Sequence, residues 1–172
     1  MSDSALKNPT DLKSLIETSK DSAFNKRGVL CLSKVPDNIL MWSHYASDHK
    51  GFVLGFDLEE DLEFFVSTLN VRYDANYPSI SYLKHPEKIV DSCVRTKHIG
   101  WSYEEEVRIV KPNAGPYNFN KKALSKVIFG CRMSDKDKSL ITDLLKKHSY
   151  IHTQCYQAKT STSQYKIEIS EI

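Results

Sequence analysis

The sequence lacks several patterns that would assign it to a large functional class. No apolar run approaches the ~20 residues that a membrane-spanning helix needs. The polar start, Met1-Ser2-Asp3-Ser4, lacks the apolar core of a signal peptide. No predicted strand is followed by a glycine-rich phosphate turn, which argues against a doubly wound nucleotide-binding fold. We therefore expect a cytoplasmic protein that does not contact a membrane.

The chain also has little net charge and few cysteines. A net charge of +2 over 172 residues gives no electrostatic argument for nucleic-acid binding. No two cysteines form a Cys-x-x-Cys pair, and no two histidines have zinc spacing, so we expect no metal in the leading interpretation. In a cytosolic chain such spacing predicts four buried thiols: Cys31, Cys93, Cys131 and Cys155.

The composition suits an α+β protein with one packed core. Hydrophobic residues make up 40% of the chain, and short strand and helix patterns follow one another irregularly, which predicts small mixed sheets with flanking helices. We expect a single α+β domain over residues 28–172. Residues 1–27 are expected to be weakly ordered or helical, with Thr10 placed to cap a helix that ends near Thr18.

Hydrophobic periodicity predicts the elements of this domain. Strands are expected at residues 28–32, 51–57, 71–73, 103–111, 124–131, 150–156 and 165–170, and helices at residues 36–49, 58–69, 86–98 and 134–148. Residues 124–156 then form one β-α-β unit with parallel strands. The strand at 51–57 is apolar on both faces and should be an inner strand. The last helix should bury one stripe, made of Leu140, Ile141, Leu144 and Leu145.

The predicted strand from Tyr103 to Lys111 carries the first candidate site. Side chains alternate along a strand, so Glu104, Glu106 and Arg108 should share one face, with the carboxylates roughly 6.5 Å apart along the chain. Neighbouring carboxylates raise each other's pKa and an arginine lowers it, so such a group can be tuned for proton transfer. A solvated ion-pair stripe on an exposed sheet face is the alternative, because surface charge pairs are common.

The second candidate is the helical segment Trp42-Ser43-His44-Tyr45. Two large aromatic residues, a histidine and a serine within four positions are unusual for a helix surface. Trp42 is expected in the core. His44 is a candidate base, a candidate ring for stacking on a ligand, or a structural histidine, and the sequence leaves these alternatives open.

Several segments together resemble domain-of-unknown-function family 2971. The resemblance spans roughly residues 29–157, and its two specific blocks are Trp-Ser-His-Tyr and Trp-x-x-Glu-x-Glu-x-Arg. The matching segments are Val29–Ser33, Leu40–Ala46, His49–Phe52, Gly55–Asp57, Val71–Tyr73, Lys97, Trp101–Arg108 and Val127–Gly130.

This family is similar in layout to ADP-ribosyltransferases, which bind NAD in a cleft of a split-sheet core. The resemblance implies Glu106 as the catalytic carboxylate, with Glu104 two residues before it. Glu106 would hydrogen-bond the nicotinamide ribose and stabilise positive charge as the glycosidic bond breaks. The residues implied in NAD binding are Ser33, His44, Tyr45 and Arg108, with Tyr45 or His44 stacking on nicotinamide. An enzyme of bacterial anti-phage defence or of a toxin system would fit this pattern.

The chain departs from the family pattern upstream of Val29, where no early NAD-binding strand is present. We therefore expect either a truncated version or one that a protein partner or second subunit completes. Two other functions remain open. The chain could be a non-catalytic interaction module of a defence complex, or a metal-dependent nuclease that uses Asp57, Glu104 and Glu106 to hold Mg²⁺.

Overall fold

The computed structural model describes Ser14, Thr18 and residues 26–80 and 84–172. The chain forms two compact units. The first unit comprises residues 1–32, 67–99 and 107–116, and the second unit comprises residues 33–66, 100–106 and 117–172. The single domain over residues 28–172 stays a prediction. The predicted helix over residues 10–18 lies outside the described residues except for Ser14 and Thr18, which are helical and joined by a 2.9 Å hydrogen bond from the Thr18 hydroxyl.

Helices and short strands alternate along the described chain, which confirms the α+β class. The strands are β1 (Gly28–Ser33), β2 (Phe52–Phe56), β3 (Thr68–Asn70), β4 (Arg72–Asp74), β5 (Thr96–His98), β6 (Glu106–Lys111), β7 (Leu124–Phe129), β8 (Gln154–Thr160) and β9 (Ile167–Glu171). The α-helices are α1 (Ile39–Tyr45), α2 (Leu62–Phe65), α3 (Pro86–Arg95) and α4 (Asp135–Lys147). Short 3₁₀ helices cover Leu58–Asp61, Ile99–Glu104 and Lys121–Ala123. None of the helices in the described part of the chain could span a membrane.

The second unit is built on a four-stranded sheet in the order β2-β7-β8-β9. β7 pairs in parallel with β8, and α4 connects them, which confirms the predicted β-α-β unit. β8 starts at Gln154, later than the predicted position 150. Ser149 has a φ of 59° and Tyr150 donates its backbone N–H to Leu145, so residues 149–153 end the helix and turn before the strand begins.

Trp42 is the largest fully buried side chain of the second unit, at 2% exposure, as the sequence predicts. It packs with Ala46, Ile128, Ala158 and Ile167. Burying a ring of this size removes a large apolar area from water, and each Å² contributes about 25 cal/mol. Its indole N–H donates to the carbonyl of Pro36 at 2.7 Å, which satisfies the one polar atom of the ring.

The stripe predicted on α4 is only partly buried. Ile141 and Leu145 pack against a second cluster on β7, whereas Leu140 and Leu144 are exposed. The expectation that all four are buried is wrong, because a helix lying on one sheet face buries a narrower stripe than one enclosed by neighbours.

β2 is an end strand of its sheet among the described residues, with β7 as its neighbour. The prediction of an inner strand is therefore wrong. Phe52 and Leu54 point to one side and are exposed, while Val53 packs on the core of the second unit. Apolar residues on both faces do not distinguish an inner strand from an end strand with an exposed apolar face.

The first unit contains two small sheets, ordered β1-β6-β3 and β4-β5. Two predicted helices are too long: residues 68–70 form β3, which pairs antiparallel with β6, and residues 96–98 form β5, which pairs in parallel with β4. Long-range backbone pairing overrides local periodicity at both helix ends. Cys31 on β1 and Cys93 on α3 are exposed, and Cys131 and Cys155 are only partly buried, so the prediction of four buried thiols is wrong.

Candidate functional site

The Glu-x-Glu segment, residues 104–106, does not form one continuous strand. Glu104 ends the 3₁₀ helix and β6 begins at Glu106. Glu105 between them has a φ of 43°, in the left-handed region that non-glycine residues rarely adopt. The prediction that Glu104, Glu106 and Arg108 share one strand face is therefore wrong, because alternation of faces requires extended backbone throughout.

Both predicted catalytic carboxylates are nevertheless buried. Glu104 is 3% exposed and Glu106 is 6% exposed, while Glu105 is exposed to solvent. They are the only charged side chains in the described part of the chain that are buried to this degree. Buried carboxylates are costly unless they are hydrogen-bonded, so two of them in one segment make it a candidate functional site.

Glu104 is held at both its side chain and its backbone. The Tyr45 hydroxyl donates to Glu104 Oε1 at 2.9 Å, and the Ser33 hydroxyl donates to the Glu104 carbonyl oxygen at 2.6 Å. Three residues that the sequence places far apart are thus brought together within the second unit. Tyr45 is 63% exposed, so its ring reaches solvent while its hydroxyl is bound to the carboxylate.

The segment from Ser33 to Asn38 supports the neighbouring backbone as well. The amide N–H of Lys34 donates to the Glu105 carbonyl oxygen at 3.3 Å, and the Asn38 side-chain amide donates to the Tyr103 carbonyl oxygen at 3.1 Å. Asn38 also caps α1 by accepting from Leu40 N–H at 2.9 Å. One asparagine therefore fixes the start of α1 and the entry to the Glu-x-Glu segment.

A left-handed turn fixes the other end of α1. Ser47, Asp48 and His49 have φ values of 49°, 52° and 66°. His49 Nε2 lies 2.9 Å from Ser43 Oγ, which itself donates to the Ile39 carbonyl oxygen at 3.0 Å. Such consecutive left-handed residues persist only where surrounding contacts hold them, so this turn ties His49 back onto the helix that carries Tyr45.

Gly130 makes room for that turn. A Cβ added at Gly130 would lie 2.2 Å from the His49 carbonyl oxygen and 2.7 Å from that of Gly51. The Gly130 amide N–H donates to Gly51 at 2.9 Å, and the Arg132 amide N–H donates to His49 at 3.0 Å. The end of β7 and the turn after α1 therefore meet at backbone contact, which only glycine permits.

Four aromatic rings of the second unit form a surface next to Glu104. We call His44, Tyr45, Trp101 and Tyr103 the ring surface. His44 lies 6.1 Å from Trp101 and 6.3 Å from Tyr45, and Trp101 lies 6.0 Å from Tyr103, measured between ring centroids. Trp101 is 39% exposed. The sequence predicts His44 and Tyr45 at the site but does not identify Trp101 and Tyr103, although both belong to the Trp-x-x-Glu-x-Glu block.

A hollow of about 630 Å³ adjoins the exposed side of the Glu-x-Glu segment within the second unit. Asn38, Tyr103 and Glu105 are among its lining residues. Its size falls in the usual range for small-molecule sites, roughly 300–1,000 Å³.

Arg108 belongs to the first unit, where its guanidinium donates to the Val94 carbonyl oxygen at 2.6 Å. Its predicted role in cofactor binding stays a prediction. Asp57 caps the 3₁₀ helix after β2 by accepting from the Glu59 amide N–H at 3.0 Å. Within residues 26–80 and 84–172, Ser14 and Thr18, no group of three or more His, Cys, Asp or Glu side chains could hold a metal ion.

Fold and site together define a small α+β protein with a pair of buried glutamates beside an exposed aromatic surface. Residues 41–109 match the family model described as Protein of unknown function (DUF2971). This match confirms the family resemblance over that range, which contains α1 from Met41 onward, the ring surface and the Glu-x-Glu segment. No curated protein and no solved structure matches the chain.

Proposed function

We propose that the chain is an ADP-ribosyltransferase-like domain that binds NAD at the Glu-x-Glu segment. The observation that carries the proposal is the 2.9 Å hydrogen bond between Tyr45 and Glu104, which brings the tyrosine of one motif onto the carboxylate of the other. Cleavage of the glycosidic bond of NAD builds positive charge on the ribose, and a fixed carboxylate stabilises that charge.

The proposal assigns a separate task to each residue. Glu106 stabilises the ribose cation, and Glu104 is oriented beside it by Tyr45 and Ser33. The rings of Tyr45 and His44 receive nicotinamide. Because Glu104 and Tyr45 are held by these contacts before any ligand arrives, little reorganisation of this pair is needed when the charge develops.

Release of nicotinamide from NAD tests the activity without knowledge of the acceptor. Water can serve as acceptor: its oxygen bonds to the ribose C1′, nicotinamide leaves with the bonding electron pair, and a proton is released. We expect Glu106→Gln to lower this rate by at least roughly a hundredfold, in line with the loss of one transition-state electrostatic contact. Glu168→Gln is the matched control, since Glu168 is an exposed glutamate of the same unit that does not line the hollow.

Binding is measured separately by thermal-shift titration with NAD. A specific ligand raises the melting temperature by mass action. The shift should survive in Glu168→Gln and shrink in Tyr45→Leu. The proposal would be refuted if the wild-type protein showed no thermal shift with NAD and released no nicotinamide.

An interaction module is a second candidate, because large apolar side chains are exposed along one short stretch. Leu62 is 69% exposed and Val66 is 81% exposed, with exposed Leu58 four residues before Leu62. Such a stripe is typical of a protein contact. A second copy of the chain is the simplest partner: light scattering should then show a dimer that Leu62→Glu dissociates, and a monomer at all concentrations would exclude that partner. Bacterial defence or a toxin system is the biological setting that we propose for either function.

A further inference from the structure

The ring surface has two properties that its proposed contact with nicotinamide does not require. Its rings are inclined to one another, at 71° for His44 and Tyr45, 59° for His44 and Trp101, and 38° for Trp101 and Tyr103. It also lies against a buried carboxylate, that of Glu104. Both properties restrict the shape and the charge of a ligand.

The inclination of the rings favours a compact ligand over a flat one. A flat ring stacks best on parallel ring faces, whereas a rounded group can touch several inclined faces at once. Neighbouring centroids are 6.0–6.3 Å apart. A cation over an exposed ring face is attracted within about 6 Å of the ring centroid, and a cation over Trp101 would have His44 and Tyr103 as the neighbouring rings.

The electrostatics favour a positive charge. Aromatic faces carry the negative part of the ring quadrupole. Because the Tyr45 hydroxyl donates to the Glu104 carboxylate, electron density on the Tyr45 ring rises, and the carboxylate adds its own charge nearby. An acidic group attached directly to the cationic group would be repelled by Glu104, whereas the phosphates of a bound NAD would lie away from that carboxylate.

We propose that the ring surface binds a small quaternary ammonium compound of the choline type, without an acidic group. Trp101 is its main contact, since indole is the strongest cation–π partner and this indole is partly exposed. The proposal requires no reaction and stands without the proposed function. Since both ligands use His44 and Tyr45, choline should compete with NAD if NAD binds.

Ligand-observed NMR titration of the full chain with choline tests the proposal. The neutral isostere 3,3-dimethylbutan-1-ol has the same shape without the charge, and glycine betaine has the same cation with a carboxylate. We expect choline to bind at least roughly tenfold more tightly than either, because an exposed cation–π contact and a nearby carboxylate both act on the charge. Equal binding of choline and the neutral isostere would overturn the proposal.

Substitutions then locate the site. Trp101→Leu should weaken choline binding at least roughly tenfold, and Trp101→Phe less, in the order of their cation–π strength. Tyr117→Leu is the control, because Tyr117 has the same exposed fraction as Trp101, 39%, and lies in the same unit outside both the ring surface and the hollow. Choline binding that is unchanged in both Trp101 variants would refute the assignment.

Two further measurements test which ligand shape the ring surface prefers and whether the Trp101 variant remains folded. The flat cation 1-methylnicotinamide should bind more weakly than choline, and tighter binding of this flat cation would overturn the preference for a compact group. Trp42 is buried and Trp101 is partly exposed, so choline should change the fluorescence of Trp101 in the wild-type protein. In Trp101→Phe, the remaining Trp42 fluorescence should stay constant when choline is added. A shifted Trp42 signal with bound choline would place the ligand elsewhere.

Discussion

The two compact units differ in how much of their chain they bury. Among the described residues, buried apolar side chains of the first unit are Val107 and Ile109, both on β6. The second unit buries many more, including Trp42, Val127 and Phe129. Its four-stranded sheet offers a continuous face for packing, whereas the three- and two-stranded sheets of the first unit offer short ones.

This difference in burial indicates that the second unit is the better place for a site whose side chains must be held in fixed positions. Glu104 and Glu106 both belong to the second unit, as do Tyr45 and Ser33. A buried carboxylate needs neighbours whose positions are fixed, and fixed positions come from a packed core. The first unit instead exposes Cys31 and Cys93, and it should open more readily to solvent.

Removing the core tryptophan should have the largest effect. Trp42→Ala should lower the free energy of unfolding by about 3–5 kcal/mol, because it leaves a cavity at a fully buried position. Urea unfolding measures it. Trp101→Ala is the matched control and should cost about 1 kcal/mol or less, since Trp101 is partly exposed. Equal costs for the two tryptophans would contradict the core assigned to the second unit.

Replacing one glycine of each unit with alanine compares how closely the backbone is packed at these two positions. Gly130→Ala should cost about 3 kcal/mol, because its Cβ would lie 2.2 Å from a carbonyl oxygen that a hydrogen bond holds in place. In the first unit, a Cβ at Gly28 would lie 2.9 Å from the Asn113 carbonyl oxygen, so Gly28→Ala should cost less. Thermal or urea unfolding of both variants decides the order, and a larger cost at Gly28 would reverse the comparison.

Loss of the bond between Tyr45 and Glu104 should have a moderate effect. Tyr45→Phe removes the donor to a buried carboxylate and should cost about 1 kcal/mol of unfolding free energy. Tyr165→Phe, at an exposed tyrosine, should change nothing measurable. An unfolding free energy of Tyr45→Phe as high as that of Tyr165→Phe would show that the bond between Tyr45 and Glu104 does not stabilise the protein.

Thiol reactivity is expected to give the smallest effect, a difference between the alkylation rates of cysteines in the two units. Cys31 and Cys93 are exposed and should react with iodoacetamide faster than Cys155, which is half-buried. Burial raises the pKa of the Cys155 thiol, because it disfavours the charged thiolate. The stability that depends on the neutral, buried thiol is therefore fully present below the ordinary thiol pKa of about 8.5 and is lost as the pH rises through the raised pKa. Mass spectrometry of each alkylated cysteine measures the rates. Faster labelling of Cys155 than of Cys93 would contradict the burial.

The predictions from sequence fared best where local pattern and burial coincide. The β-α-β unit around α4 follows from a capped amphipathic segment between two apolar runs, and Ser134 indeed caps α4 by accepting from the Asp137 amide N–H. The core position of Trp42 was likewise predicted. β3 and β5 were missed, because backbone pairing to distant partners decided residues that periodicity alone assigns to helices.

The residues of the candidate site can be named from the sequence, but their geometry cannot. Glu104, Glu106 and Tyr45 could be named from their motifs, but the strand that should align Glu104 with Arg108 is interrupted at Glu105. A left-handed backbone at a glutamate has no reliable sequence signal, since most non-glycine residues avoid it.

The sequence by itself determined the α+β class, the family resemblance and the residue types available for chemistry. These depend on the order of the residues, on local periodicity and on short motifs. Only the tertiary structure decided that the Tyr45 hydroxyl meets Glu104, 59 positions apart along the chain, and that Trp101 joins His44 in one surface. Contacts between distant segments depend on how helices and strands pack, and packing is a property of the whole core.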